Sequence, residues 1–84
     1  MNLYLISYDL LNHETFDRYE TLIDKLKLLG ARRLLSSEWI LRSWHPSEHI
    51  RDFLVQFIHT NDRLFVSEIS TSNWASWRID IHKI

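Results

Sequence analysis

Asp9 is the residue whose setting most favours chemistry, because it follows directly on residues 3–8, a run that is apolar or aromatic at nearly every position. A carboxylate at the end of a buried strand is held rigidly. If a second copy of the chain set its own Asp9 alongside across a twofold axis, the two carboxylates could share a hard divalent cation, Mg²⁺ or Mn²⁺, for which oxygen ligands are the right chemistry. The competing role is structural: the side chain accepts backbone N–H bonds to close the turn into the next element, and from spacing alone this is the commoner use of Asp at a strand end. Of the other acidic residues only Glu14 is close in sequence. His13 is near enough to act as a general base or second ligand, against the plainer reading of a loop histidine.

Arg32, Arg33 and Arg42 form the second constellation, since all three fall on one pair of strand-like runs beside Trp44. Arginines grip phosphates while an aromatic ring stacks on a base, so this hairpin could hold nucleic acid. The alternative is edge protection, in which charge on an outer strand blocks unwanted pairing. Both readings stand, although seven of the ten basic residues are Arg, the better bidentate phosphate ligand. His45 and His49 are four apart, as metal ligands on a helix would be, but His45 precedes Pro46 and falls outside any helix there, which favours two solvated surface histidines. Trp74 and Trp77 suit an interface better than a stacking platform, because a tail that must also pack has few free rings.

Several chemistries are excluded. The serines show no Ser-His-Asp pattern or nucleophile elbow, and with Gly30 the only glycine there is no phosphate-cradling loop. The absence of cysteine removes disulfides, thiolate catalysis and cysteine-ligated zinc. A net charge of −1 gives no global positive field, so any nucleic acid must bind a local patch. The first residues lack a basic region and a long apolar run, and no stretch is long enough to span a bilayer, so the expectation is a soluble, cytoplasmic protein with no membrane partner.

The elements that must position these residues follow from periodicity. After the strand at 3–8, Phe16, Tyr19, Leu22, Ile23, Leu26 and Leu29 recur at helical spacing and end at Gly30, where a left-handed cap is wanted. Residues 32–36 and 38–44 read as two strands meeting at Ser36 and Ser37, and Pro46 opens a second helix carrying Ile50, Phe53, Leu54, Phe57 and Ile58. Residues 64–70 read as a fourth strand, with Leu64 and Val66 on one face and Phe65 and Ile69 on the other. The tail, 74–84, alternates Trp77, Ile79 and Ile81 with Arg78, Asp80 and His82, and so reads as a fifth strand.

The order strand, helix, strand, strand, helix, strand is that of the α+β, split βαβ or ferredoxin-like architecture, a single domain over 1–84 with its core in 1–70. Its two helices cover one face of a four-stranded antiparallel sheet. Strands one, three and four carry apolar residues on both sides, so a second subunit is expected to cover the other face, giving a homodimer joined sheet to sheet.

Three segments, Leu-Ile-Ser-Tyr-Asp-Leu at 5–10, Leu-Gly-Ala-Arg-Arg-Leu-Leu-Ser-Ser-Glu-Trp-Ile-Leu at 29–41 and Asn-Asp-Arg-Leu-Phe-Val at 61–66, resemble in order and spacing the superfamily of CRISPR-associated protein two and virulence-associated protein D. The resemblance covers most of the chain and looks closest to the small free-standing members. It implies a ferredoxin-like homodimer whose fifth strand reaches the partner's sheet. It also implies that Asp9 is the strand-end aspartate proposed to bind magnesium or manganese in nuclease members. Some members are reported to cut RNA or DNA, while in CRISPR adaptation the protein is a non-catalytic DNA scaffold; this chain departs from those scaffolds in being slightly acidic. The expected function is therefore a nucleic-acid-binding homodimer with metal-dependent endoribonuclease chemistry, and the alternative a dimeric module that binds DNA or a protein partner.

Overall fold

The computed structural model of the chain describes residues 1–12 and 16–80. In chain order the elements are β1 (Asn2–Asp9), α1 (Phe16–Leu28), β2 (Arg32–Leu35), β3 (Glu38–Ser43), α2 (Ser47–Leu54), a single 3-10 turn (Val55–Phe57) and β4 (Arg63–Ile69). The strands lie in the order β2-β3-β1-β4, and every adjacent pair is antiparallel. That order interleaves two split βαβ units, as the sequence pattern requires, and is compatible with the ferredoxin-like architecture. Its consequence for function is that β1 occupies an inner position, paired along its length with β3 on one side and β4 on the other.

Alternation along β1 sends Tyr4, Ile6 and Tyr8 to the helix side, where they meet Trp39 and Leu41 of β3, Leu22 and Leu26 of α1, and Ile50 and Leu54 of α2. Ile6, Leu22, Leu26 and Leu54 are fully enclosed. Burying each such side chain contributes roughly 1.5–3 kcal/mol, which is why the helical stripe read from sequence locks α1 in place. Its C-terminus closes with two backbone bonds, Gly30 N–H to Lys27 O and Ala31 N–H to Leu26 O, both 3.0 Å. This pairing needs a left-handed residue between helix and strand, and Gly30 supplies it with φ 89°. Pro46 sits one position earlier than a first helical residue: it is the N-cap of α2, and its carbonyl accepts from His49 and Ile50 N–H.

The other face of the sheet is less open than the sequence suggested. Register places Leu3 between Arg42 and Ile69, and Ile40 beside Leu5, all on the side away from the helices, yet Leu3 and Ile40 are 1% and 4% exposed in the single chain. Beyond β4, Ile79 is half-buried. Part of the apolar face is thus covered from within, while Phe65 and Leu35 stay largely exposed.

The expected fifth strand is not formed in residues 74–80. Arg78 adopts φ 58°, the left-handed region, which interrupts an extended run. Alternation of apolar and polar residues makes a strand only where a free ladder edge is offered, and these residues pair with none in the single chain. Ile81 and His82, part of the same expectation, lie outside the described residues. Trp74 and Trp77, expected as anchors of a subunit interface, are 42% and 84% exposed in the single chain.

Candidate functional site

Asp9 ends β1, facing Ser37 and the β2–β3 turn on one side and the start of β4 on the other. Tyr8 N–H donates to Ser37 O at 3.1 Å, tying that turn to the strand just before the carboxylate. The Asp9 side chain is exposed and takes no hydrogen bond among the described residues. It therefore does not perform the capping role that spacing made the commoner reading.

That role belongs to Asp62, in the turn before β4. Its Oδ1 accepts from Leu11 N–H at 2.8 Å and from Asn12 Nδ2 at 3.0 Å, its Oδ2 accepts from His59 N–H at 2.8 Å, and the Tyr19 hydroxyl lies 2.9 Å from both oxygens. Asn12 N–H in turn donates to Tyr19 Oη at 3.0 Å, and Asn12 Nδ2 reaches Asn61 Oδ1 at 2.7 Å. One half-buried carboxylate thus ties the exit of β1, the first part of α1 and the entry of β4. Burial alone would raise its pKa, but the N–H groups of Leu11 and His59, then the Tyr19 hydroxyl and Asn12 amide, outweigh burial and hold it below the ordinary 3.8.

Two hollows border Asp9. The larger, about 720 Å³, is walled by α1 residues Tyr19, Glu20 and Ile23 and by Arg33, Ser36 and Ser37 of the hairpin. Arg33 is held there against two aromatic residues that are themselves bonded to each other. Its guanidinium lies 4.9 Å above the Trp39 ring, its Nη2 donates to Tyr8 Oη at 3.4 Å, and the same Oη accepts from Trp39 Nε1 at 2.9 Å. Stacking orients the planar cation, and one donor of five is used in the bond to Tyr8. The smaller hollow, about 190 Å³, lies on the β4 side and is lined by Ser7, Arg63 and Phe65 with Asp9.

The three arginines singled out from sequence separate. Arg33 pairs in register with Trp39 and stands on the helix side, in the groove with Asp9; Arg32 pairs with Ile40 and Arg42 with Leu3, which puts both on the opposite face. β2 is an edge strand, as edge protection by Arg32 requires. Trp44 is 81% exposed beyond the end of β3, at the opposite end of the sheet from Asp9. His45 and His49 have ring centroids 6.2 Å apart on the rim of an apolar pocket of about 260 Å³, and among the described residues no three His, Cys, Asp or Glu side chains converge to hold a metal. His13 and Glu14 lie outside the described residues.

Sequence reasoning missed three participants. Glu20 brings a second carboxylate to the larger groove from the polar face of α1. Asp62 had the signal of an Asp in a polar helix-to-strand turn, but apart from His59 its partners, Leu11, Asn12 and Tyr19, are 43 to 51 residues away in sequence. Arg63 sits directly opposite Asp9 in the β1–β4 register. The split βαβ order alone implies that pairing, because it sets the end of β1 beside the beginning of β4. No protein-family model matches the chain, and no solved structure matches it significantly.

Proposed function

We propose that the chain acts as a homodimeric nucleic-acid-binding protein with metal-dependent endoribonuclease chemistry at the end of β1, using Mg²⁺ or Mn²⁺ and RNA in preference to DNA. The observation that carries the reading is Asp9: an exposed carboxylate with no hydrogen bond among the described residues, paired with Arg63 at the end of an inner strand, on the lip of a groove that also holds an oriented arginine. The resemblance of residues 5–10 to the strand-end aspartate segment of the nuclease members supports the same residue.

The donor set suits a magnesium-type ion only with help. Such ions are commonly held by one or two carboxylates, with water and phosphate oxygens completing the shell. Asp9 supplies one carboxylate per protomer, and a twofold axis would double it. When bound, the ion supplies a water of lowered pKa and neutralises charge at the phosphate. The chain's own part is to present Asp9 without a competing internal hydrogen bond and to hold the phosphate through Arg33. Exposed Phe65 and Leu35 on the face away from the helices, with Trp77 in the tail, supply the apolar surface a second protomer would bury.

Purified protein incubated with labelled RNA and Mn²⁺ should cleave it, EDTA should stop the reaction, and Asp9→Ala should lose it by at least 100-fold without a lower melting temperature. Equal cleavage by Asp9→Ala would assign the activity to a contaminant and remove the site.

A second reading, a non-catalytic dimeric module that binds DNA or a protein partner, is favoured by one observation. A single chain assembles no cluster of three metal-ligating side chains among its described residues. RNA or DNA binding that survives in Asp9→Ala, with no cleavage by either protein, would select it.

A further inference from the structure

We propose that His45 and His49 chelate a borderline divalent cation, Cu²⁺ in preference to Zn²⁺, which cross-links the loop leaving β3 to the first turn of α2. The site lies at the opposite end of the sheet from Asp9 and takes a different class of ion from the one proposed there.

Histidines four apart meet on a helix, but His45 stands outside α2, before its N-cap Pro46. The two rings come together by another route. Ser43 Oγ accepts from His45 N–H at 3.1 Å, which fixes the backbone just after β3. Pro46, with φ −71° and ψ 162°, then turns the chain into α2, and its carbonyl accepts from His49 N–H at 3.1 Å and from Ile50 N–H at 3.3 Å. Ile50 is buried, so the phase of α2 is set from inside, and His49 borders the same hollow as His45. The ring centroids are 6.2 Å apart with 48° between the planes. Because the proline and the first turn of α2 already hold the intervening backbone, little of its freedom is lost when both rings bind one ion.

The shared hollow, about 260 Å³, is lined besides the two imidazoles by Ser43 and by apolar side chains such as Leu41 and Phe53. Both histidines are exposed at its rim. Metal–nitrogen bonds of about 2.0–2.1 Å set the centroids of two adjacent imidazole ligands roughly 5 Å apart, so side-chain rotation has to close only about 1 Å. The donor set selects the ion. Imidazole suits copper, nickel and zinc, whereas magnesium, calcium and manganese want carboxylates, and none of the described residues lining this hollow is Asp or Glu. Glu48, between the two histidines in sequence, borders a separate hollow with Arg51 and Leu64. Its charge in the first turn of α2 still offsets the unfavourable field of the helix N-terminus on a cation. No third protein ligand converges among the described residues, so water completes the shell and binding is weaker than at a four-ligand structural zinc site. Copper stands above zinc and nickel in affinity for such donors.

The test is isothermal titration calorimetry of untagged, EDTA-stripped protein with Cu²⁺ and with Zn²⁺, together with EPR of the copper form. Wild type should bind one Cu²⁺ per chain through both rings, with hyperfine structure from two imidazole nitrogens, and should bind Zn²⁺ more weakly. Excess Mn²⁺ should not displace the copper. In a chelate the second bond is made by a group already in place, so His45→Gln and His49→Gln should each weaken Cu²⁺ binding by roughly tenfold or more. The double variant should be little worse than either single one, since either loss already breaks the chelate. Both side chains are exposed, so melts without metal should match wild type, while added Cu²⁺ should raise the melting temperature of wild type and not of the double variant. If each single variant keeps copper at wild-type affinity, or the copper form shows one nitrogen only, the rings act separately and the chelate is wrong. Copper binding that is absent in wild type, or unchanged in the double variant, would overturn the site altogether.

Discussion

Replacing Asp62 by Ala removes the acceptor of four donors that come from three parts of the chain. A hydrogen bond to a charged group contributes roughly 1.5–3 kcal/mol in a buried setting. Asp62 is only half-buried, and water can reach Leu11, so the low end applies and part of each bond is replaced by solvent. Taking the two backbone N–H groups as the main loss gives a destabilisation of roughly 2–4 kcal/mol. In a domain of this size each kcal/mol moves Tm by about 4–8 °C, so the melt should fall by roughly 8–30 °C. Asp62→Asn keeps one acceptor oxygen and should fall in between. Thermal and urea melts by circular dichroism measure both, and a fall of less than about 3 °C in Asp62→Ala, under 1 kcal/mol on that scale, would refute the assignment of Asp62 as the joint. The pH dependence supplies a second check. Because the folded state holds the Asp62 pKa below its ordinary 3.8, the unfolded chain binds the proton more readily, and the stabilisation is present in full above that value and lost as pH falls through the lower folded pKa. Wild type should therefore lose stability on acidification below pH ~4 more steeply than Asp62→Asn, with the two converging at low pH.

Two further outcomes follow from the fold. Gly30→Ala meets no atom within 4 Å of the added Cβ, so its cost is conformational alone, about 1–2 kcal/mol from forcing a side chain into φ 89°, read as a lower urea midpoint with an unchanged m-value. Phe65→Lys should leave the monomer's melt within about 0.5 kcal/mol, because the ring is 63% exposed, yet shift sedimentation toward monomer if the face away from the helices joins two copies; unchanged sedimentation of a wild-type dimer would move the interface elsewhere.

The architecture was legible because β1, α1, α2 and β4 each carry a strong local signal: a two-sided apolar run, stripes at three- and four-residue spacing, and one glycine where α1 must stop. In the tail no strand forms over 74–80 of the single chain, since alternation at Trp77 and Ile79 records which side chains prefer cover but not whether a ladder edge is available to pair with. Leu3 and Ile40 show the same limit from the other direction. Both are apolar on the face away from the helices, and sequence cannot tell cover from within the chain from cover by a second subunit. Asp9 was legible as a strand-end carboxylate, while its neighbours Arg33, Arg63 and Glu20 depend on strand register and helix phase, which become fixed only when the sheet is assembled.

Asp9 and Asp62 are the most instructive pair in the molecule, since both are aspartates at the junction of a strand with a loop and they have opposite surroundings. Every oxygen of Asp62 is committed to internal donors, so the residue is spent on holding β1, α1 and β4 together and has little capacity for an external ligand. Asp9 has none of these commitments and lies between the hollows that hold Arg33 and Arg63. A fold that satisfies the loop N–H groups with Asp62 has no structural need of Asp9 at that position. Substituting the two separately therefore divides stability from function: loss of the Asp62 carboxylate should lower the melt and disturb the groove indirectly through Leu11, whereas loss of the Asp9 carboxylate should leave the melt unchanged and alter only what the groove binds or cleaves. An Asp9→Ala protein that melts as low as Asp62→Ala would show that the exposed carboxylate has a structural duty after all, and the case for chemistry at the end of β1 would lose its basis.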